Sequence, residues 1–163
     1  MNTEAPIIRA LEAQDNEQIA HVIRAVLIEF GVPKVGTAYE DKALEDLYNA
    51  YKDKNSLYYV IEQHGRVIGG AGIAQLANYD GPICEFQKMY FLPEARGLGL
   101  GSKLIQICLQ EAKELGYKQC YLETLPYMEA ARALYHKNGF ISIDKPLGDT
   151  GHYSCNVWML KDL

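Results

Sequence analysis

The central segment of the chain reads Lys88-Met89-Tyr90-Phe91-Leu92-Pro93-Glu94-Ala95-Arg96-Gly97-Leu98-Gly99-Leu100-Gly101-Ser102-Lys103-Leu104. It begins as an apolar strand that Pro93 ends, because proline has no amide hydrogen for a strand ladder. A loop with glycine at every second position follows and leads into a helix. Gly116 stands where a left-handed residue would end that helix. The helix is predicted from apolar residues at helical spacing, namely Leu104, Ile105, Cys108, Leu109, Ala112 and Leu115.

A glycine-rich turn that leads into a helix is typical of an anion-binding site. The first amides of a helix lack an internal acceptor, and the helix dipole adds partial positive charge at the same end. Because glycine has no side chain, phosphate oxygens can approach these amides closely. Arg96 adds a fixed positive charge beside the loop. The segment therefore predicts that the chain binds a phosphorylated ligand.

Two common phosphate-binding motifs fit this loop poorly. A P-loop needs Gly-Lys followed by Ser or Thr, whereas the chain reads Gly101-Ser102-Lys103. The dinucleotide fingerprint would need a third glycine where Ser102 stands. The pattern Arg-x-x-Gly-x-Gly does fit, as Arg96, Gly99 and Gly101. It resembles the pyrophosphate loop of the GNAT acetyltransferase superfamily, which binds acetyl-coenzyme A; a loop that only turns the chain is the alternative.

A second segment is similar to the same superfamily. Residues 131–140 read ARALYHKNGF and match the pattern A-x-x-L-Y-x-K-x-G-F, at the family's distance from the loop. The resemblance covers almost the whole chain. One departure is that many members carry asparagine just before this last helix, whereas here residues 125–129 read LPYME. The capping and cofactor contacts of that asparagine are therefore not carried over.

The elements predicted along the chain follow one order: strand, two helices, three strands, helix, strand, helix and two strands. This order predicts an α/β fold, a mixed sheet with helices on both faces. The resemblance implies a GNAT fold with a mostly antiparallel sheet of six to seven strands, in a single domain of residues 1–163. Asp15 and Gln18 have capping-box spacing at the first helix. Gly69, Gly70 and Gly72 inside a strand indicate a bulge or a close backbone approach.

Composition excludes several classes of protein. A length of 163 residues suggests one domain. The net charge of −5 argues against a nucleic-acid binder, which needs a basic face. The four cysteines and four histidines show no metal or redox spacing, so we expect reduced core thiols and no metal. We also expect no membrane span and, without a visible leader in residues 1–15, a cytoplasmic location.

The cofactor site follows from the resemblance. In the superfamily, the strand before the loop and the strand after the helix splay apart, and acetyl-coenzyme A lies between them. The pantetheine arm would pair with the main chain of Met89 and Phe91, which flank Tyr90. The pyrophosphate would lie beside Arg96 on the loop amides of Gly97, Leu98, Gly99, Leu100, Gly101 and Ser102.

The implied reaction is direct acyl transfer to an amine, which a general base and a general acid would assist. Glu85 is the candidate base, since a carboxylate in an apolar strand is costly without a partner or a role and burial would raise its pKa. A structural or solvent-facing carboxylate is the alternative. Glu123 is the rival base, or else binds the cationic group of the acceptor. Tyr135 is the candidate acid by family position, with a core tyrosine as the alternative. Tyr39 and Gln87 are candidate acceptor residues.

The acceptor side is expected from the loop at residues 31–40, the second helix and the connection at residues 144–152. An amine is the expected acceptor, and its identity is open. Three other functions stay open as well: a non-catalytic acyl-coenzyme A sensor, an oxidoreductase with a nucleotide cofactor, and transfer to a hydroxyl group. A homodimer is an open alternative to a monomer.

Overall fold

A computed structural model describes residues 4–163. Seven strands form one sheet: β1 (Ile7–Ala10), β2 (Leu57–Gln63), β3 (Arg66–Gln75), β4 (Ile83–Phe91), β5 (Gln119–Thr124), β6 (Ile141–Ile143) and β7 (Val157–Asp162). Their spatial order is β1-β2-β3-β4-β5-β7-β6. Only the β4–β5 pair is parallel among the strands of the described range. The predicted mixed, mostly antiparallel sheet is confirmed.

Helices cover both faces of this sheet, as predicted. They are α1 (Asn16–Glu29), α2 (Leu47–Ala50), α3 (Leu100–Glu114) and α4 (Glu129–Lys137). The buried stripe of α1, with Ile19 and Ile23, packs on one face. The buried stripe of α3, with Leu104 and Cys108, packs on the other. Gly116 follows α3 with φ of 92°, the left-handed end that the sequence predicted. Within residues 4–163, no helix combines the length and apolarity that crossing a membrane requires.

The start of α1 differs from the predicted capping box. Asp15 is buried, where it accepts a hydrogen bond from Arg9 Nη1 at 2.7 Å and another from the Glu12 amide at 2.8 Å. It thus closes the capping box of a preceding 3₁₀ turn, Ala13–Asp15, whose N-cap is Glu12. Gln18 instead accepts a hydrogen bond from the Val67 amide at 3.0 Å and ties α1 to β3. The predicted capping box of α1 is therefore wrong, because Arg9 and the Glu12 amide bind the Asp15 side chain and the Val67 amide binds Gln18.

The predicted second helix is broken into three short pieces. Two 3₁₀ turns, Ala38–Glu40 and Lys42–Glu45, precede the single turn of α2. Asp41 and Asp46 interrupt the run, because their backbone angles are not helical. Asp46 then caps α2 by accepting a hydrogen bond from the Asn49 amide at 3.2 Å. The segment is therefore closer to a structured loop than to the continuous helix that its apolar spacing predicted.

The last strand begins later than predicted. Residues 152–155 form a turn in which the Cys155 amide donates to the His152 carbonyl at 3.0 Å. The pattern of residues 153–160 predicts a strand over that whole range, but the strand begins only at Val157. Because of this turn, the His152 side chain is directed toward Asp41, with its Nε2 2.9 Å from Asp41 Oδ1.

A β-bulge interrupts the pairing of β3 with β4. The register shifts between Gly70 and Gly72, and Lys88 opposite them has a positive φ of 52°. A side chain at Gly72 would place its Cβ 2.4 Å from the Leu57 carbonyl oxygen. The glycines in β3 therefore mark both a bulge and a close backbone approach, as predicted. Bulges re-aim side chains, and here Lys88 reaches Asp41, with Nζ 3.1 Å from Oδ2.

The strands β4 and β5 separate soon after they meet. Beyond Glu85, β4 continues to Phe91 with no strand partner on its β5 side in the described part of the chain. One edge of β4 is consequently open over its last six residues. The pairing covers three positions only, Ile83 with Gln119, Cys84 with Cys120 and Glu85 with Tyr121.

Candidate active site

A groove with a cavity volume of about 360 Å³ opens where β4 and β5 separate. The open edge of β4, the loop before α3, the end of α1 and the start of α4 form its walls. Leu98 is 55% exposed and lies outside the lining. The other predicted cofactor residues all line this groove, namely Met89, Tyr90, Phe91, Arg96, Gly97, Gly99, Leu100, Gly101 and Ser102.

The glycine loop leaves space at the N-terminus of α3. Gly97 and Gly99 have left-handed backbones, with φ of 74° and 76°. A Cβ atom added at either position would meet nothing within 4 Å. Gly99 is the N-cap of α3 and supplies no side-chain cap. The first amides of α3 therefore face open groove rather than a side-chain acceptor, which suits an anionic ligand.

The two sequence motifs touch each other at the floor of the groove. A Cβ atom at Gly101 would lie 2.6 Å from Leu134 Cδ2, so glycine lets α3 approach α4 closely. Asn138 Nδ2 donates to the Ser102 hydroxyl at 3.4 Å and to the Leu134 carbonyl at 2.9 Å. The loop motif and the α4 motif, far apart in the sequence, are therefore in direct contact in the fold.

Arg96 is more constrained than a free charge beside the loop. Its two terminal nitrogens donate to Glu29 at 2.7 Å and 3.0 Å, and its Nε donates to the Phe91 carbonyl at 3.0 Å. The guanidinium also lies 5.2 Å from the ring centroid of Phe30. The hydrogen bond from Arg96 lowers the pKa of Glu29. Arg96 therefore ties the end of β4 to α1, and its role in binding phosphate stays a prediction.

The open edge of β4 offers main-chain groups to the groove. The Leu92 amide donates to the Ile68 carbonyl at 2.8 Å, so Leu92 faces β3. Because main-chain groups alternate between the two sides of a strand, those of Phe91 and Met89 face the separated side. The Phe91 carbonyl is taken by Arg96 Nε. An extended ligand could pair with the remaining groups as an added strand.

A smaller chamber of about 70 Å³ lies next to the groove. Loop residues Val32, Thr37 and Ala38 form one wall, and His152 comes from the connection before β7. Glu85, Gln87, Glu123 and Tyr135 also line it. The groove and the chamber are adjacent, because they share four lining residues; these are Met89, Tyr90, Met128 and Ala131.

Glu85 is a buried carboxylate inside this chamber. Its side chain is 4% exposed, and its Oε1 accepts a hydrogen bond from Gln87 Nε2 at 2.6 Å. Tyr51 donates to Gln87 Oε1 at 2.5 Å, which fixes the orientation of the amide. Burial raises the pKa of Glu85; the hydrogen bond from Gln87 opposes this, and the charge of Glu123 adds to it. A carboxylate with a raised pKa suits a proton acceptor.

Glu123 faces Glu85 from β5. It accepts hydrogen bonds from Tyr121 at 2.8 Å and from the Thr150 hydroxyl. Ligand-type atoms of Glu85, Glu123 and His152 all lie within 4.8 Å of one another. These side chains can bind a cation, so the expected absence of a metal stays a prediction. The two candidate bases are thus brought together, although they lie on different strands.

Asp41, Lys88 and His152 form an ionic cluster that sequence reasoning missed. His152 Nε2 lies 2.9 Å from both Asp41 oxygens, and Lys88 Nζ lies 3.1 Å from Oδ2. Burial alone would raise the pKa of Asp41, but the His152 hydrogen bond and the Lys88 charge lower it. Burial alone would lower the pKa of His152, but Asp41 raises it. No local spacing relates these residues; the one signal was His152 in the connection expected on the acceptor side.

Tyr135 projects from α4 into the same chamber. Its ring packs edge-on against Phe86 and Phe140, with centroid distances of 6.2 Å and 6.0 Å. Burial raises the pKa of its hydroxyl group. Within residues 4–163 that hydroxyl has no hydrogen-bond partner. It is therefore available to a ligand in the chamber.

Tyr39 lies apart from the other predicted site residues. Its ring lies beside two cationic groups, 5.0 Å from Lys34 Nζ and 5.8 Å from the Arg24 guanidinium carbon. It is not among the residues that line the chamber. Contact between Tyr39 and an acceptor stays a prediction that this arrangement does not favour.

Comparison with known proteins decides the family. Residues 22–140 match the model of the Acetyltransferase (GNAT) family. The chain belongs to the GNAT acetyltransferase family. It is 46% identical to the uncharacterized N-acetyltransferase YjgM of Escherichia coli (strain K12), over 98% of this chain and 96% of that protein. The resemblance stated from the two motifs is confirmed.

Solved structures of GNAT acetyltransferases share the fold. An acetyltransferase of the GNAT family from Staphylococcus aureus Mu50 superposes with a TM-score of 0.84 at 22% identity, covering 98% of this chain and 99% of that one. The PaiA N-acetyltransferase of Thermoplasma acidophilum, solved with coenzyme A, superposes with a TM-score of 0.71 at 19% identity, covering 98% and 100%. As a GNAT protein the chain is an acyltransferase, which sets aside the oxidoreductase alternative.

Proposed function

We propose that this GNAT protein transfers the acetyl group of acetyl-coenzyme A directly to the nitrogen of a primary amine. The observation that carries the proposal is that the groove and the chamber are adjacent and share four lining residues. The groove offers the glycine loop and an open strand edge, and the chamber presents Glu85 and Tyr135. A cofactor arm in the groove would end beside two groups suited to proton transfer.

The residues present fit acetyl-coenzyme A as co-substrate. The open space at Gly97 and Gly99 and the uncapped amides of α3 suit its pyrophosphate. The open edge at Met89 and Phe91 suits the amide groups of its pantetheine arm. When bound, the co-substrate supplies an acetyl group activated as a thioester.

The chamber residues would manage the protons of this transfer. The amine nitrogen forms a bond to the acetyl carbon, the carbon–sulfur bond breaks, and the nitrogen loses a proton. Glu85 would accept that proton, held in place by Gln87. Tyr135, whose hydroxyl has no partner among the described residues, would donate to the departing sulfur. Raised by burial, the pKa of Glu85 moves toward the range in which a base is effective.

An amine panel tests the proposal. The protein is incubated with acetyl-coenzyme A and single amines, and products are identified by mass spectrometry, with reactions lacking protein as the control. We expect acetylated amines that survive mild base, which hydrolyses esters. Base-labile products would indicate transfer to oxygen. Acetyl-coenzyme A binding in calorimetry without any product would indicate a sensor and contradict the proposal.

A further inference from the structure

The basic side chains that line the chamber already pair with a carboxylate of the protein. Lys88 and His152 are the basic residues that line it. Both bind Asp41, through Lys88 Nζ to Oδ2 at 3.1 Å and through His152 Nε2 to both oxygens at 2.9 Å. A carboxylate on an incoming acceptor would have to compete with Asp41 for these groups. The chamber therefore offers no free positive charge from the residues that line it.

The carboxylates of the chamber form, in contrast, no ion pair in the described part of the chain, although a ring nitrogen of His152 lies within 4.8 Å of oxygens of both Glu85 and Glu123. Neither Glu85 nor Glu123 forms an ion pair with any residue of the described range 4–163. Gln87 donates to Oε1 of Glu85, while Oε2 accepts no hydrogen bond from the described residues. Glu123 receives hydrogen bonds from the neutral hydroxyls of Tyr121 and Thr150. Glu85 is a buried residue that lines the chamber, and a carboxylate oxygen without a protein donor at such a position favours a donor supplied by a ligand.

Beyond these charged groups most lining residues are apolar, and Thr37, Gln87 and Thr124 are the polar ones. Leu27 comes from α1, Val32 and Ala38 from the loop after it, and Leu125 and Met128 from the segment after β5. A charged head on an apolar stem matches this arrangement, because the head meets carboxylates and the stem meets aliphatic side chains.

We infer that the acceptor is a primary amine on an apolar stem with no carboxylate beside the nitrogen, so that the chamber rejects free α-amino acids. This inference rests on the proposed function of the same chamber. A carboxylate beside the nitrogen would lie close to Glu85 and Glu123, and both available cations are committed to Asp41. Juxtaposed like charges in a buried site discriminate strongly against the wrong partner.

Matched acceptors separate the charge of the carboxylate from its size. Two series are compared: 3-methylbutylamine, leucinamide and leucine, and phenethylamine, phenylalaninamide and phenylalanine. The value of kcat/KM is expressed per concentration of free-base amine. We expect each amine and each amide to exceed its amino acid by at least about tenfold, since each 1.4 kcal/mol corresponds to a factor of ten.

Two variants test the origin of this selectivity. Glu123→Gln removes one negative charge from the chamber and should narrow the ratio between amide and amino acid. Glu114→Gln removes a charge from the exposed end of α3 and should leave the ratio unchanged. An unchanged ratio in the Glu123 variant would remove that carboxylate from the explanation and contradict the inference.

The outcomes distinguish the inference from the proposed function. Amino acids that react as well as their amides would overturn the inference while leaving amine acetylation intact. If the amides react as slowly as the amino acids, the size of the group beside the nitrogen, rather than its charge, determines the selectivity. This result would also overturn the inference. Failure of every acceptor in both series to form an acetylated product would contradict the proposed function and the inference together.

Discussion

His152 Nε2 lies 2.9 Å from both carboxylate oxygens of Asp41, although 111 residues separate them in the sequence. This contact joins the segment before α2 to the connection before β7. The Ser154 hydroxyl donates to the Val35 carbonyl at 2.8 Å along the same seam. Two segments that line the chamber, one at Thr37 and Ala38 and the other at His152, are thus held together by an ionic hydrogen bond. Its strength should depend on the charges of both partners.

Replacing His152 by glutamine should therefore destabilise the protein in a pH-dependent way. The pKa of Asp41 is lowered from 3.8, so its contribution exists above that pH and is lost as the pH falls further. The pKa of His152 is raised from 6.5, so its contribution exists below that pH and is lost as the pH rises through the higher folded value. At pH values between these two, the variant should lose about 1.5–3 kcal/mol of unfolding free energy, the usual contribution of a hydrogen bond to a charged group.

Thermal melts across pH measure this difference. The difference in melting temperature between wild type and His152→Gln should be largest in weak acid and should become smaller in alkaline buffer. His21→Gln, on the exposed side of α1, is the matched control and should show no such pH dependence. A difference in melting temperature that stays constant from weak acid to alkali would contradict the interpretation that the contact is ionic.

Substitution of Gly99 by valine should weaken acetyl-coenzyme A binding. Gly116 offers a matched control, because both glycines have positive φ, 76° and 92°, and neither has an atom within 4 Å of an added Cβ. Each substitution should cost stability through backbone strain of about 1–3 kcal/mol. Only the Gly99 variant places a branched side chain in the groove. Calorimetry should show lost affinity for Gly99→Val and retained affinity for Gly116→Val; equal affinities would place the cofactor elsewhere.

Replacement of Glu85 by glutamine should slow acetyl transfer by roughly 10²–10⁴-fold, the usual contribution of a general base. Burial raises the pKa of Glu85 above 4.5, so the wild-type rate should rise as the pH passes through that higher value. In the pH–rate profile of the variant, the rise due to Glu85 should be absent, whereas the rise due to deprotonation of the amine acceptor should remain. Glu123→Gln should keep both limbs. If the limb disappears in the Glu123 variant instead, the base is Glu123.

Removal of the Tyr135 hydroxyl, as Tyr135→Phe, should lower kcat with little change in the KM for acetyl-coenzyme A. General acid catalysis usually contributes about 10²–10⁴-fold to the rate. The reduction of kcat should lie at or below the lower end of this range, because a thiolate is a good leaving group. The ring contacts with Phe86 and Phe140 remain. Since the hydroxyl has no partner within residues 4–163, the melting temperature should not change. Full activity at full stability would assign Tyr135 to the core alone.

Sequence alone was sufficient where short-range backbone geometry decides the structure. The loop from Arg96 to Ser102, its left-handed glycines and the helix that ends at Gly116 depend on φ preferences and on apolar spacing within a few turns. The segment at residues 131–140 was recognisable for the same reason. The order of elements then limited the fold to a mixed sheet with helices on both faces, which the structure confirms.

Only the tertiary structure decided which distant side chains share the chamber. The bulge opposite Gly72 turns Lys88 toward Asp41, and the turn before β7 brings His152 to the same carboxylate. The ring of Tyr39 lies beside the cationic groups of Arg24 and Lys34, and its contact with an acceptor stays a prediction. Such contacts depend on burial and on Coulomb energies between residues far apart in the chain, which no local periodicity encodes. The backbone of the groove beside the glycine loop was therefore predictable from local motifs, whereas the arrangement of charged side chains in the chamber was set by packing.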